Sequence, residues 1–141
     1  EDNRDTGNIA KIFIDELYAW QENTHFSELY KLPEINMQTE EKLDQVMLYD
    51  EKFVYMREKI FKLVCNQLLR FFSLDVIKKS LVDAGILYPE SSRTFTRKVN
   101  YYNLIGEYKR VRMFCIQRTE INRLGEMDFV DLCLDERRRD L

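Results

Sequence analysis

Between Arg93 and Arg123 stand eight cations, Arg93, Arg97, Lys98, Lys109, Arg110, Arg112, Arg118 and Arg123, opposed only by Glu107 and Glu120. Guanidinium and ammonium groups at this density can neutralise phosphates, a contact that fixes a protein on a nucleic acid without reading its bases. Tyr101, Tyr102 and Tyr108 lie among them and can stack on bases or pack along a groove. The positions expected to touch DNA are therefore Arg93, Arg97, Lys98, Lys109, Arg110 and Arg112. The competing reading is a solvated strand face, because Lys and Arg also protect sheet edges and cover apolar surface with their stems.

The other reactive side chains point away from catalysis. His25 is the single histidine and has no partners at metal-ligand or triad spacing, so it is expected at a surface or a helix end. Glu40, Glu41, Asp44, Asp50 and Glu51 read as a solvated connection, since they lack any D-x-D or E-x-x-H arrangement. Cys65, Cys115 and Cys133 are odd in number and widely spaced, so buried or half-buried thiols are expected in place of a disulfide framework or a zinc site. No phosphate-binding glycine loop or nucleophile elbow is present among only four glycines. No catalytic residue, metal, cofactor or small-molecule ligand is indicated.

The 141 residues are enough for one domain, or for two small ones sharing an interface. A hydrophobic share of 45% and 13% aromatics imply a globular chain with an aromatic-rich core. The net charge of -3 makes any affinity for a polyanion a matter of local charge. The longest apolar runs, such as Phe71-Phe72, are far too short for a bilayer, and no signal peptide precedes them, so a cytoplasmic protein with no membrane partner is expected. The chain opens on Glu1, which is expected of a domain cut from a larger protein or of a processed chain.

These side chains need elements to hold them. Residues 1–8 read as a linker remnant. Ile9, Phe13, Leu17 and Trp20 recur at helical intervals, and Trp20 on that face is a candidate core or partner-binding anchor. Phe26, Leu29 and Tyr30 suggest a further helical turn that Pro33 ends, and residues 34 to 45 a polar connection. Val46 to Tyr49 fits a buried strand or the lead-in to a helix. From Glu51 to Leu69, Phe53, Met56, Ile60, Leu63, Val64 and Leu68 follow helical spacing. Ser73 is a natural N-cap for a helix with Leu74, Ile77, Leu81 and Ala84 on one face, and Gly85 is its left-handed terminator. Thr94–Val99 and Tyr108–Ile116 then read as two antiparallel strands, joined by a loop containing Asn103 and Gly106. Asp128 to Leu141 can form a last short helix.

Helix, capped short helix and basic hairpin, in that order, predict an α+β fold, predominantly α: a helical N-terminal part, then an abbreviated winged helix with a two-stranded basic wing. It is abbreviated because the link from Leu69 to Ser73 is too short for the usual middle helix. Ile86 and Leu87 would anchor the first wing strand against the helices. The expected organisation is a helical segment over 9–49, the winged-helix-like unit over 50–120, and a tail or short helix over 121–141.

The stretch IFIDELYAWQENTHFSEL from Ile12 to Leu29, then VMLYDEKFVYMREKI, FSLDVIKKSLVDAGIL and the basic hairpin, resembles the C-terminal region of primase-helicase-type ATPases from phages and other mobile elements. The similarity covers residues 9 to 118 and is most specific from Ser73 to Leu87, followed by Arg93 and Arg97. It implies a non-catalytic accessory domain whose ATPase core lies in another part of the parent protein. The partners implied are DNA and that core or neighbouring subunits. Two other readings stay open: a protein-interaction or oligomerisation module using the Trp20 face and the hairpin, and the DNA-binding domain of a transcription regulator.

Overall fold

A computed structural model describes residues 2–23, 29–35 and 40–139. Helix α1 (Asp2–Asn23) begins inside the stretch expected to be linker. Ile9, Phe13 and Leu17 are buried as their spacing requires, and Ala10 and Ile14 widen the same stripe. Trp20 is half-buried against the core formed by that stripe. His25 and Phe26 lie outside the described residues, but Leu29 and Tyr30, expected in a helical turn, lie in strand β1 (Leu29–Lys31). A 3-10 turn, Glu40–Gln45, leads into strand β2 (Met47–Tyr49), which pairs with β1 in parallel.

The largest correction falls on residues 51 to 69. Phe53–Met56 is strand β3, paired antiparallel with β2, and helix α2 is only Glu58–Val64. Phe53, Met56 and Ile60 mimic a helical stripe, yet Val54 and Tyr55 between them are also buried, on opposite sides of the sheet. Asp50 sets the turn: its carboxylate accepts the N–H groups of Lys52 and Phe53, each at 2.9 Å, and so reverses the chain between β2 and β3. Leu63, expected in the core, is exposed at 55%, because the buried face of α2 is Ile60, Phe61 and Val64. Between α2 and the next helix there is a single 3-10 turn, Leu68–Arg70.

Helix α3 (Leu74–Asp83) is held at both ends as its sequence predicts. Ser73 Oγ accepts the N–H of Val76 at 3.2 Å, and Gly85 sits at φ +78. The N–H groups of Gly85 and Ile86 reach the carbonyls of Val82 and Leu81 at 3.0 and 2.9 Å, which satisfies two helix-end acceptors. Leu87 then bridges Ile116. The anchorage is thus to the second strand of the hairpin, where the first was expected.

Strand β4 is Arg97–Tyr102, three residues later than expected, because Ser91 Oγ and the Thr94 carbonyl tie residues 90–94 into a turn. Strand β5 (Tyr108–Gln117) is long enough to pair with β4 through its first half and with β3 through its second. Helix α4 (Arg118–Gly125), not among the expected elements, follows without a break, and α5 (Phe129–Arg139) is the expected final helix.

The strands form one mixed, curled sheet in the order β1-β2-β3-β5-β4. It curls until its ends meet: Tyr102 of β4 donates to the Pro33 carbonyl and accepts from the N–H of Ile35, both at 2.8 Å. On one face Val54, Met56, Phe114 and Ile116 pack with α1, α2 and α3, and the Phe61 and Phe114 rings stack at 4.1 Å. On the other, Leu48, Tyr55, Val99, Tyr101, Met113 and Cys115 enclose a second core with Ile35, Leu43 and Val46. The α+β mixture is as expected, with helical residues outnumbering strand residues. Both segments of the chain expected to be distinct, 9–49 and 50–120, contribute strands to this sheet. No helix among the described residues is long and apolar enough to cross a membrane.

Candidate nucleic-acid interface

The β4–β5 hairpin is a ribbon whose two faces differ. Directly paired residues share a face, and successive residues alternate. Pairs Lys98–Arg112, Asn100–Arg110 and Tyr102–Tyr108 lie on one face, and Arg97–Met113, Val99–Val111 and Tyr101–Lys109 on the other. Because the backbone N–H and C=O of Tyr102 point outward to Pro33 and Ile35, the first three are the pairs without ladder hydrogen bonds, where side chains stand closest. Their contacts agree: the Tyr102 and Tyr108 rings meet edge-on at 5.4 Å, and Arg110 Nε donates to Asn100 Oδ1 at 3.0 Å.

That first face carries a cationic and aromatic surface. All six of its residues are exposed. Arg112 is braced by Glu90 at 3.3 Å and by the Thr96 carbonyl at 3.1 Å, so its guanidinium is oriented across the ribbon. Lys98 and Arg110 have no carboxylate partner among the described residues. Three cations thus face solvent against one described carboxylate. Arg93 is exposed in the turn before β4, with its backbone N–H on Ser91 Oγ at 3.3 Å.

Two of the six expected contacts lie elsewhere. Arg97 is half-buried on the opposite face, where Nη1 donates to the Pro89 carbonyl at 3.0 Å and the guanidinium stacks 4.5 Å from the centre of the Tyr88 ring. Tyr88 in turn stacks on Phe53 at 5.5 Å. Lys109 shares that face and pairs with Glu107 at 3.8 Å. Both side chains are engaged within the fold. Arg97 also borders a cleft of about 380 Å³ lined by Leu32, Pro33, Asp50, Phe53 and Tyr55.

The end of the ribbon is a hydrogen-bonded turn with an apolar apex. Asn103, 9% exposed, clamps the turn: its Oδ1 accepts the Glu107 N–H at 2.9 Å and its Nδ2 donates to Glu107 Oε1 at 3.0 Å. Gly106 supplies the left-handed residue at φ +82, and its N–H closes the turn on the Asn103 carbonyl at 2.9 Å. Leu104 and Ile105 at the apex are exposed at 49% and 69%. Neither residue of this pair is among the contacts expected from the sequence. Its signal was two aliphatic residues between Asn103 and Gly106, at turn positions that ordinarily carry polar or small residues.

The reactive groups outside the ribbon are built into the interior. Cys65, Cys115 and Cys133 are buried free thiols, each pushed up to about 12 by burial, which keeps them protonated and weakly nucleophilic. Burial also raises Tyr55, aided by its hydrogen bond to Asp50 at 2.5 Å. Of the acidic cluster, Asp44 pairs with Arg57 at 3.3 Å and Asp50 is occupied by its turn and by Tyr55; the side chains of Glu40 and Glu41 lie outside the described residues. Among the described residues no group of three His, Cys, Asp or Glu side chains is placed to hold a metal. No protein-family model matches the chain, and neither a curated protein nor a solved structure is found similar to it.

Proposed function

We propose that this domain is a non-catalytic module that contacts nucleic acid through the Lys98–Arg110–Arg112 face of the β4–β5 ribbon. The observation that carries the reading is the gathering of three exposed cations and two exposed tyrosines on one face, with Glu90 the one described carboxylate paired to them, in a chain of net charge -3. A polyanion gains from such a face because each neutralised phosphate releases condensed counterions. Tyrosines beside the cations add ring surface for bases.

The finer architecture belongs to the same proposal. Helices α2 and α3, the Gly85 reversal and the hairpin act as an abbreviated winged helix whose wing is extended into a larger sheet; the order of these elements and the basic wing support it. With the resemblance of residues 9 to 118 to primase-helicase-type ATPases, the module serves a mobile-element replication ATPase in the cytoplasm, with its ATPase core elsewhere in the parent protein. Half-buried Trp20 remains the candidate anchor to that core or to a neighbouring subunit.

The test is the salt dependence of binding to a DNA duplex, followed by fluorescence anisotropy. Lys98→Gln, Arg110→Gln and Arg112→Gln together should flatten the plot of log K against log salt by roughly 2 to 3, at about 0.9 per lost phosphate contact. The pair Arg97→Gln and Lys109→Gln should leave the slope unchanged. A triple variant with the wild-type slope would sink the proposal.

A further inference from the structure

We infer that Leu104 and Ile105 form an apolar wedge that enters between base pairs of a nucleic-acid duplex while the ribbon behind them holds its phosphates. The inference rests on the ribbon's role proposed above and names its substrate as a double strand. A turn of this kind needs Asn103 and left-handed Gly106, which the hydrogen bonds to Glu107 and Asn103 show at work; it has no use for two exposed aliphatic side chains. Leu104 and Ile105 pack into neither described core. The Asn103–Glu107 and Gly106–Asn103 hydrogen bonds shape the turn that carries them.

Their position along the ribbon fits a groove. From the apex inward come the aliphatic pair, then Tyr102 and Tyr108, then Asn100 and Arg110, then Lys98 and Arg112. A strand advances about 3.3 Å per residue, so the Arg110 level lies roughly 7 Å behind the tyrosines. The grooves of a duplex are about 7.5–8.5 Å deep. The apex lies about another 7 Å ahead of the tyrosines, so a tip that reaches the base edges brings Tyr102 and Tyr108 to the groove mouth and leaves Arg110, then Lys98 and Arg112, over the flanking backbone. Apolar side chains inserted between base steps unstack and kink the duplex, and contacts along the bent backbone offset that cost.

A lipid surface is the other partner with an apolar interior and anionic surface. Recognition of anionic lipid headgroups takes clusters of about four to eight cations. This face has three, opposed by Glu90. A duplex, with one charge per roughly 1.7 Å, needs fewer.

The experiment uses the 141-residue chain with three probes: a DNA duplex carrying 2-aminopurine beside a central TA step, the same strand alone, and vesicles rich in phosphatidylserine. Wild type should bind the duplex more tightly than the strand and raise the aminopurine emission about twofold, as unstacking does. Leu104→Ser with Ile105→Ser should abolish that rise and weaken duplex binding about tenfold, yet keep the log-salt slope, because the phosphate contacts remain. An unchanged thermal midpoint would show the variant folded, as exposed positions predict. If the double variant matches wild type in emission and affinity, the wedge is overturned and the ribbon reading stands. Tighter binding of the single strand likewise overturns the wedge alone. If wild type binds neither DNA, both readings fall, and vesicle binding lost in the double variant would then assign the tip to lipid.

Discussion

Arg97 and Lys98 are neighbours of like charge, and the sequence treats them alike. Strand alternation separates them. Lys98 faces solvent on the cationic side, while Arg97 turns to the half-buried side and stacks on Tyr88 with a hydrogen bond to Pro89. Such a stacked, hydrogen-bonded guanidinium holds structure in place of ligand. Arg97→Ala should cost about 1–2 kcal/mol of stability in urea denaturation, from the lost cation–π contact and hydrogen bond. Lys98→Ala should leave the urea midpoint near wild type. Equal midpoints for the two variants would contradict this division. Which cations share a face was not legible in the sequence, because the register of β4 against β5 depends on where the Asn103–Glu107 turn closes. An error of one residue there inverts every assignment.

At the scale of elements, the junction between α4 and α5 turns on a glycine that is not the left-handed residue. Gly125 follows Leu124 at the helix end, and the residue at positive φ is Glu126, at 62. Gly125 serves another purpose. A Cβ there would stand 2.1 Å from the Tyr18 ring of α1, which is fixed by a hydrogen bond from its hydroxyl to the Met127 carbonyl and by an edge-on contact with Phe129 at 5.3 Å. Gly125→Ala should therefore push α4 off α1 and cost about 1–3 kcal/mol, the usual effect of overpacking, even though Ala is the better helix former. A thermal melt of the variant checks it; a raised midpoint would show that propensity outweighs the close approach. By contrast, α3 was legible from end to end. Its Ser73 cap, Ile77 and Leu81 face and Gly85 terminator all act within a dozen residues.

For the whole molecule, burial of titratable groups sets the response to alkali. Each of the three thiols moves from an ordinary 9.0 to about 12 on folding, and Tyr18 moves from 10.0 to about 12, chiefly through burial and secondarily through Asp128. Their neutral forms are thus favoured by the fold, so this stability is fully present below the unfolded values and lost as pH rises towards 12. The urea midpoint should stay level from about pH 7 to 8.5 and then fall, each buried thiol contributing up to roughly 1.4 kcal/mol per pH unit and partly exposed Tyr18 less. A midpoint level through pH 11 would contradict the burial of these groups. By itself the sequence determined what acts over short distances: the buried stripe of α1, the capped α3, the existence of a basic hairpin and the buried character of the cysteines. Tertiary structure alone decided the parallel pairing of β1 with β2, the strand at Phe53–Met56, the meeting of Pro33–Ile35 with Tyr102, and the face on which each cation stands. The physical reason is range. Spacing and caps are set by residues a few positions apart, whereas strand pairing and face are settled by packing partners distant in sequence, which overrides local propensity.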